Sequence, residues 1–268
     1  MNYILFDFHE DWENLLPLTY TRPVSEIRIG ILTIKEKWDK LLDTNCSYLS
    51  QEYLQAKYKL ITNEDNIYIN GSVLPNKYLI KDILALKSGQ ALVQDSQLIC
   101  FRTENDITEI DDTTFEKFEK INSSKKFGKI NYPWDIFRQN GAEIESDYFI
   151  LTEGRKSAEI SLTNGIIGEN IFVEEGAIVE FATINAKDAY VYIGENAEIM
   201  EGSVIRGSFA LCNDSTLKIG AKIYGPTTVG PHSTVCGEVK NSVIFANSNK
   251  GHDGYLGNSV LGEWCNLG

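Results

Sequence analysis

His252 is one of three histidines in the chain, and it stands among glycines in Gly251-His252-Asp253-Gly254-Tyr255. Glycines on either side let a loop carry a side chain close to a ligand without a steric barrier. Imidazole titrates near neutrality, so a histidine presented this way can act as a general base. His232 lies in a regular Val229-Gly-Pro-His-Ser-Thr segment and reads as an outward corner residue, and His9 follows a short apolar run. A second set of chemically able groups lies nearer the amino terminus: Arg22, Arg28 and Lys37. They could neutralise phosphate or be ordinary surface charges, and the residues alone leave both open. The five cysteines (Cys46, Cys100, Cys212, Cys236 and Cys265) are odd in number, scattered and without a Cys-x-x-Cys spacing. That argues against a disulfide frame and a zinc site, and for a reducing compartment.

The element that must position His252 is a repeat. Stepping by six from Ile193 gives Ile199, Ile205, Leu211, Leu217, Ile223, Val229 and Val235, all aliphatic. Neither an α-helix nor a plain strand has that period. A parallel β-helix has it, with three short strands per coil and every sixth side chain pointing to the axis. Upstream, Ile167, Val173 and Val179 keep the step, and a two-residue insertion falls around Ala186–Tyr190. Downstream the phase breaks after Val235 and resumes at Leu256, Leu261 and Leu267. Insertions in a solenoid become outside loops, so 245–255 is expected to bulge outward and carry chemistry. The ladder runs on to Gly268, and its last coil is expected to be covered by further chain or another subunit.

Net charge is −13 with a sequence pI near 4.8, and no basic stripe is present. Nucleic-acid affinity comes largely from phosphate neutralisation, so nucleic acid is not an expected partner. The short Lys125-Lys126 pair reads as a solvated loop. No apolar stretch is long enough to span a membrane, and the opening Met-Asn-Tyr-Ile-Leu-Phe-Asp is not a signal peptide. A cytoplasmic location is expected.

Before the repeat, strands and helices alternate as in an α/β layer domain. Strands are expected at Tyr3–Phe8, Asn66–Asn70, Ala91–Val93 and Gln97–Phe101, the last two joined through Asp95-Ser96. Helices are expected at Ile31–Leu42, Tyr48–Leu60, Tyr78–Leu86, Thr113–Ile121 and Pro133–Glu145. The expected domains are 1–122 (α/β), a junction over 123–163 and a β-helix over 164–268.

The ladder resembles that of the left-handed β-helix acyltransferases and their non-catalytic relatives. The closing run Gly251-His-Asp-Gly-Tyr-Leu-Gly-Asn258, followed by Leu261-Gly-Glu-Trp-Cys-Asn-Leu-Gly268, is more specific. It is similar to the acetyltransferase domain of the bifunctional N-acetylglucosamine-1-phosphate uridyltransferase family. His252, Tyr255 and Asn266 fall at that family's spacing, and Lys240, twelve residues before the histidine, matches its substrate-phosphate lysine. Leu16-Pro-Leu-Thr-Tyr-Thr-Arg-Pro-Val24 resembles the family's nucleotidyltransferase signature, as does the opening of a group of sugar nucleotidyltransferases that also share Glu26–Trp38. The departures are chemical. Phe8-His-Glu-Asp-Trp-Glu-Asn-Leu has no glycine cradle for phosphate, Val24 stands where the family has lysine, and Asn70-Gly71-Ser72 stands where it has Gly-Asp for magnesium.

The resemblance implies a degenerate, Rossmann-like nucleotidyltransferase domain joined to a left-handed parallel β-helix, assembled as a homotrimer. It implies a sugar phosphate or nucleotide sugar as substrate and acetyl-CoA as acyl donor. His252 would be the base, Lys240 the phosphate anchor, and Tyr255 and Asn266 the sugar contacts. Arg22, Arg28 and Lys37 are the candidates at the amino-terminal phosphate, and no ligand set for Mg2+ is visible. Two alternatives stay open: a sugar-1-phosphate nucleotidylyltransferase with a rebuilt phosphate site, and a non-catalytic trimeric scaffold that binds a nucleotide sugar.

Overall fold

A computed structural model describes every residue except Ser96, Asp112, Ser124 and Lys125. The expected Asp95-Ser96 turn and Lys125-Lys126 loop therefore fall partly outside the described residues. By packing, the chain divides into Met1–Ile27 with Thr33–Pro133, and Arg28–Leu32 with Trp134–Gly268.

The first unit is an α/β domain on one mixed sheet. Its strands are β1 (Asn2–Phe6), β2 (Ser47–Leu49), β3 (Asn66–Asn70), β5 (Gln90–Gln94), β6 (Gln97–Thr103) and β7 (Glu119–Asn122). Their order is β2-β1-β3-β6-β5-β7, with β1 parallel to both neighbours and β6 antiparallel to both of its own. A small ladder pairs β4 (Val73–Leu74) with β8 (Gly128–Lys129). Ile4, Phe6, Tyr68 and Phe101 pack the core on one face, with the Tyr68 and Phe101 rings stacked 5.0 Å apart.

The helices are α1 (His9–Asn14), α2 (Ile34–Leu42), α3 (Lys77–Leu84) and α4 (Pro133–Thr152). Helix α2 starts three residues later than its apolar pattern suggests, because Thr33 and Glu36 close a capping box there. Two expected helices are corrected. Residues 48–60 instead give β2, paired to β1 at Ile4↔Ser47, and a 3-10 turn at Glu52–Leu54. The expected Thr113–Ile121 helix is turns followed by β7, which pairs with β5. In both cases pairing to a preformed strand overrides local helical patterning. Helix α4 runs past the expected Glu145 end, since nothing breaks it before Gly154.

The second unit is a parallel β-solenoid of six coils, like a left-handed β-helix, whose three sides are six-stranded sheets. All eight residues of the six-residue ladder are buried, none more than 1% exposed. Val191 pairs with Phe209 and Phe209 with Thr227, a step of eighteen residues per coil. The insertion near Ala186–Tyr190 lengthens the preceding step, Ile171 to Val191, to twenty.

The phase break after Val235 is the reverse of what the ladder suggests. Val229 pairs with Ile244 and Val235 with Lys250, only fifteen residues on. The coil has lost residues from its corners, so 245–255 does not bulge. Cys236 and Gly237 alone join two strands here, and Gly237 has φ +76, where a Cβ would lie 2.7 Å from the Gly254 carbonyl oxygen. Glycine is needed there because a side chain would collide with that carbonyl. The inward positions after the break fall to Val239 and Ile244, with Leu261 packing at their end.

Arg28–Leu32 is strapped to the second unit by buried polar groups of α4. Asn140 Oδ1 accepts from the Gly30 amide at 2.8 Å, and Asp147 Oδ2 from the Ile31 and Leu32 amides at 2.8 and 3.0 Å. Thr228 on the solenoid donates to the Gly30 carbonyl at 2.8 Å.

Candidate functional site

A cleft of about 1360 Å³ opens in the first unit beyond the carboxyl ends of β1 and β3. Ligands of open α/β sheets bind at such strand ends. Asp7 follows β1 directly and is half-buried at the cleft wall. Its Oδ1 accepts from the Val24 amide at 3.1 Å and its Oδ2 from the Ser50 hydroxyl at 2.5 Å. Burial, with a smaller push from Asp11, raises its carboxyl to about 7 despite those two donors.

Asp11, one turn into α1, is the second acid of the floor. Its Oδ1 receives Lys129 Nζ at 2.8 Å, and its Oδ2 receives Ser72 Oγ at 2.9 Å and Asn70 Nδ2 at 3.3 Å. Ser72 also donates its amide to Asn70 Oδ1 at 2.9 Å, closing the network. Lys129 is the single lysine or arginine among the described residues lining this cleft. His9 joins it, stacked on Trp12 at 5.7 Å.

The Mg2+ of nucleotidyl transfer does not fit this donor set. Both oxygens of Asp7 and both of Asp11 already accept hydrogen bonds, and Ser72 occupies the aspartate position. Among the described residues no group of three or more His, Cys, Asp or Glu side chains could hold a metal ion.

The sequence candidates for phosphate are placed otherwise. Arg22 and Lys37 are buried and line no part of this cleft. Arg28 belongs to the strap, where its guanidinium donates to the Ile31 carbonyl. Val24 is wholly buried and contributes only its amide, to Asp7. Asp7, Asp11 and Lys129 were missed because the fold alone brings them together. Only Asp7, the acid that ends an apolar strand, gave a local signal.

In the solenoid, His252 is exposed at the corner between Asn249–Lys250 and Tyr255–Gly257. Tyr255 begins the strand after that corner, on the sheet side that also carries Lys240. Glu238 pairs with Tyr255 and Lys240 with Gly257, so Lys240 and Tyr255 stand diagonally on one outer face. Lys240 Nζ lies 5.6 Å from the centre of the Tyr224 ring, and Tyr224 donates to Glu238. Asn266 lies on another sheet, paired with Asn249. One chain therefore sets Lys240 and Tyr255 on one outer face, His252 at the corner that leads into Tyr255, and Asn266 on another side. His232 takes a left-handed corner at φ +56, with Nδ1 3.7 Å from Asp214.

Asp7 gives a pH prediction. Between the unfolded value of 3.8 and about 7, the folded protein holds a proton that the unfolded chain has released. Stability contributed at this site therefore falls as pH rises through that window. Asp7→Asn should flatten the fall: its urea midpoint should exceed the native one at pH above about 7 and converge with it in acid. Parallel curves for both proteins would contradict this.

No helix of the described residues is long and apolar enough to cross a membrane. No curated protein matches the chain. A family described as sugar nucleotidyl transferase matches residues 3–156, spanning β1 from its second residue, the cleft floor and all of α4. With more than half its length inside that match, the chain belongs to the sugar nucleotidyl transferase family, and its nucleotidyltransferase-like domain is followed by a β-solenoid.

Proposed function

We propose that the protein is a transferase acting on an amino sugar phosphate, with acetyl-CoA as the acyl donor and the solenoid as the site of N-acetyl transfer. The observation that carries this reading is the exposed His252 corner beside Tyr255 and Lys240 on one outer face. The sugar amine attacks the thioester carbonyl and forms the amide bond. His252 takes the amine proton, and the coenzyme thiolate leaves and is protonated. Lys240 pairs with the sugar phosphate, and Tyr255 orients the ring. Asn266 completes the sugar contacts from the adjoining side. The reading includes a homotrimer, since cyclic symmetry lets one patch serve every contact. Light scattering should report three chains per particle, and a monomer at micromolar concentration would count against it.

A second reading is favoured by Lys129. Its ammonium places a cation in a cleft that lacks a glycine cradle, which would suit a rebuilt phosphate site for nucleotidyl transfer. One assay separates the two. With an amino sugar phosphate, acetyl-CoA, a nucleoside triphosphate and Mg2+ together, the first reading expects free thiol to accumulate. It expects pyrophosphate release well below about 1 s⁻¹, because Val24 and Ser72 stand in the charge-bearing positions. Pyrophosphate without thiol would promote the second reading. Neither product would leave a scaffold that binds nucleotide sugars.

A further inference from the structure

Lys250 occupies an inward slot of the solenoid. Its register neighbours are Val235 and Leu267, and earlier positions of the same sheet row are Val179, Ile199 and Leu217. The lysine is 6% exposed. A four-carbon stem can fill an aliphatic slot, but its ammonium needs acceptors there. It has one in the backbone: Nζ donates to the His252 carbonyl oxygen at 2.7 Å. Lys218, from two coils earlier, donates to the Gly251 carbonyl oxygen at 3.1 Å. Two consecutive carbonyls of one four-residue corner thus each receive an ammonium, and the lysine interrupts the aliphatic row in the coil that leads into His252. Packing alone would call for another aliphatic side chain, as in the four preceding coils.

We infer that Lys250, assisted by Lys218, is a positioning residue that fixes the Gly251–Gly254 corner and so presents the His252 imidazole in one orientation. The inference rests on the reading of His252 as the base. Charge-assisted bonds to carbonyls are stronger and more directional than neutral ones, and a base displaced by about 1 Å can lose on the order of 10²-fold in rate. Lys250 touches no reacting atom. It acts through the backbone of the residue that does.

Lys250→Met keeps the stem's volume and removes the donor. With only three histidines in the chain, their imidazole resonances can be assigned and followed directly in the full protein. The expected result is a shifted and broadened His252 resonance, unchanged His9 and His232 resonances, and a melting temperature no lower than native. In the acetyl-transfer assay kcat should fall by about 10²-fold while KM for the amino sugar phosphate stays constant. Lys218→Met should move the same resonance by less. An unmoved His252 resonance would overturn the inference. So would a lowered melting temperature with all three histidines displaced, which would make Lys250 a packing residue only. Should His252→Ala retain full acetylation, the base reading falls, and the resonance alone then decides whether Lys250 orders the corner.

Discussion

His252→Ala is expected to lower kcat for acetyl transfer by about 10²–10⁴-fold, the usual worth of a positioned base, with little change in KM for the sugar. The alanine leaves the corner's backbone intact, because Lys218 and Lys250 hold carbonyl oxygens that the substitution does not remove. The loss therefore reports the imidazole and not the fold. Lys240→Ala should show the opposite split. Its ammonium lies on the same outer face as Tyr255, so its removal should raise KM for the sugar phosphate and leave kcat nearly unchanged. A common effect of both substitutions on kcat would contradict this division of roles. Steady-state kinetics on the two variants decide it.

Lys129→Met is expected to destabilise the first unit by about 1–3 kcal/mol, the range for a buried acceptor that loses a partner, since Lys129 itself stays partly exposed to the cleft. Asp11 is 5% exposed and its side chain is held by Lys129, Ser72 and Asn70. Taking away the ammonium leaves a buried carboxylate with only neutral donors. Asp11→Asn combined with Lys129→Met should recover most of the loss, since no charge is then stranded. Urea denaturation of the single and double variants measures that coupling. Additive effects of the two substitutions would show that the ion pair does not organise the cleft floor.

Much of the solenoid was legible because its signal is local and repeated. Every inward slot from Ile193 to Val235 has the same chemistry and the same spacing. The ladder misled where corners shortened, since losing residues and adding them both shift a phase, and at Ile167, which is exposed on the outward row with Asn185 and Arg206 while Ile166 lines up with Ile184 and Ile205. Pairing of Val235 with Lys250 settles which occurred. In the first unit, β1 and β3 announced themselves as apolar runs. The three-residue strand Ser47–Leu49 did not, because it exists through pairing with Ile4–Phe6. The turns and strand at 113–122 were misread for the same reason.

The cleft was the least legible part. Asp11 and Lys129 are 118 positions apart, and Asp7 and Ser50 are 43 apart. No spacing rule joins them. Arg22 and Lys37 drew attention as cations near a signature, yet both are buried away from the cleft lining. The solenoid candidates fared differently. His252 and Tyr255 are near in sequence, and the strand register sets Lys240 diagonally from Tyr255 on the same sheet.

The most direct test of acetyl transfer at His252 follows the acetyl group itself. Acetyl-CoA labelled in the acetyl carbon is incubated with an amino sugar phosphate and the protein, and the sugar product is identified by mass spectrometry. The native protein should yield a labelled N-acetyl sugar phosphate, and His252→Ala at least about 10²-fold less of it per unit time. Label that stays on the coenzyme, or equal product from both proteins, would contradict acetyl transfer at His252.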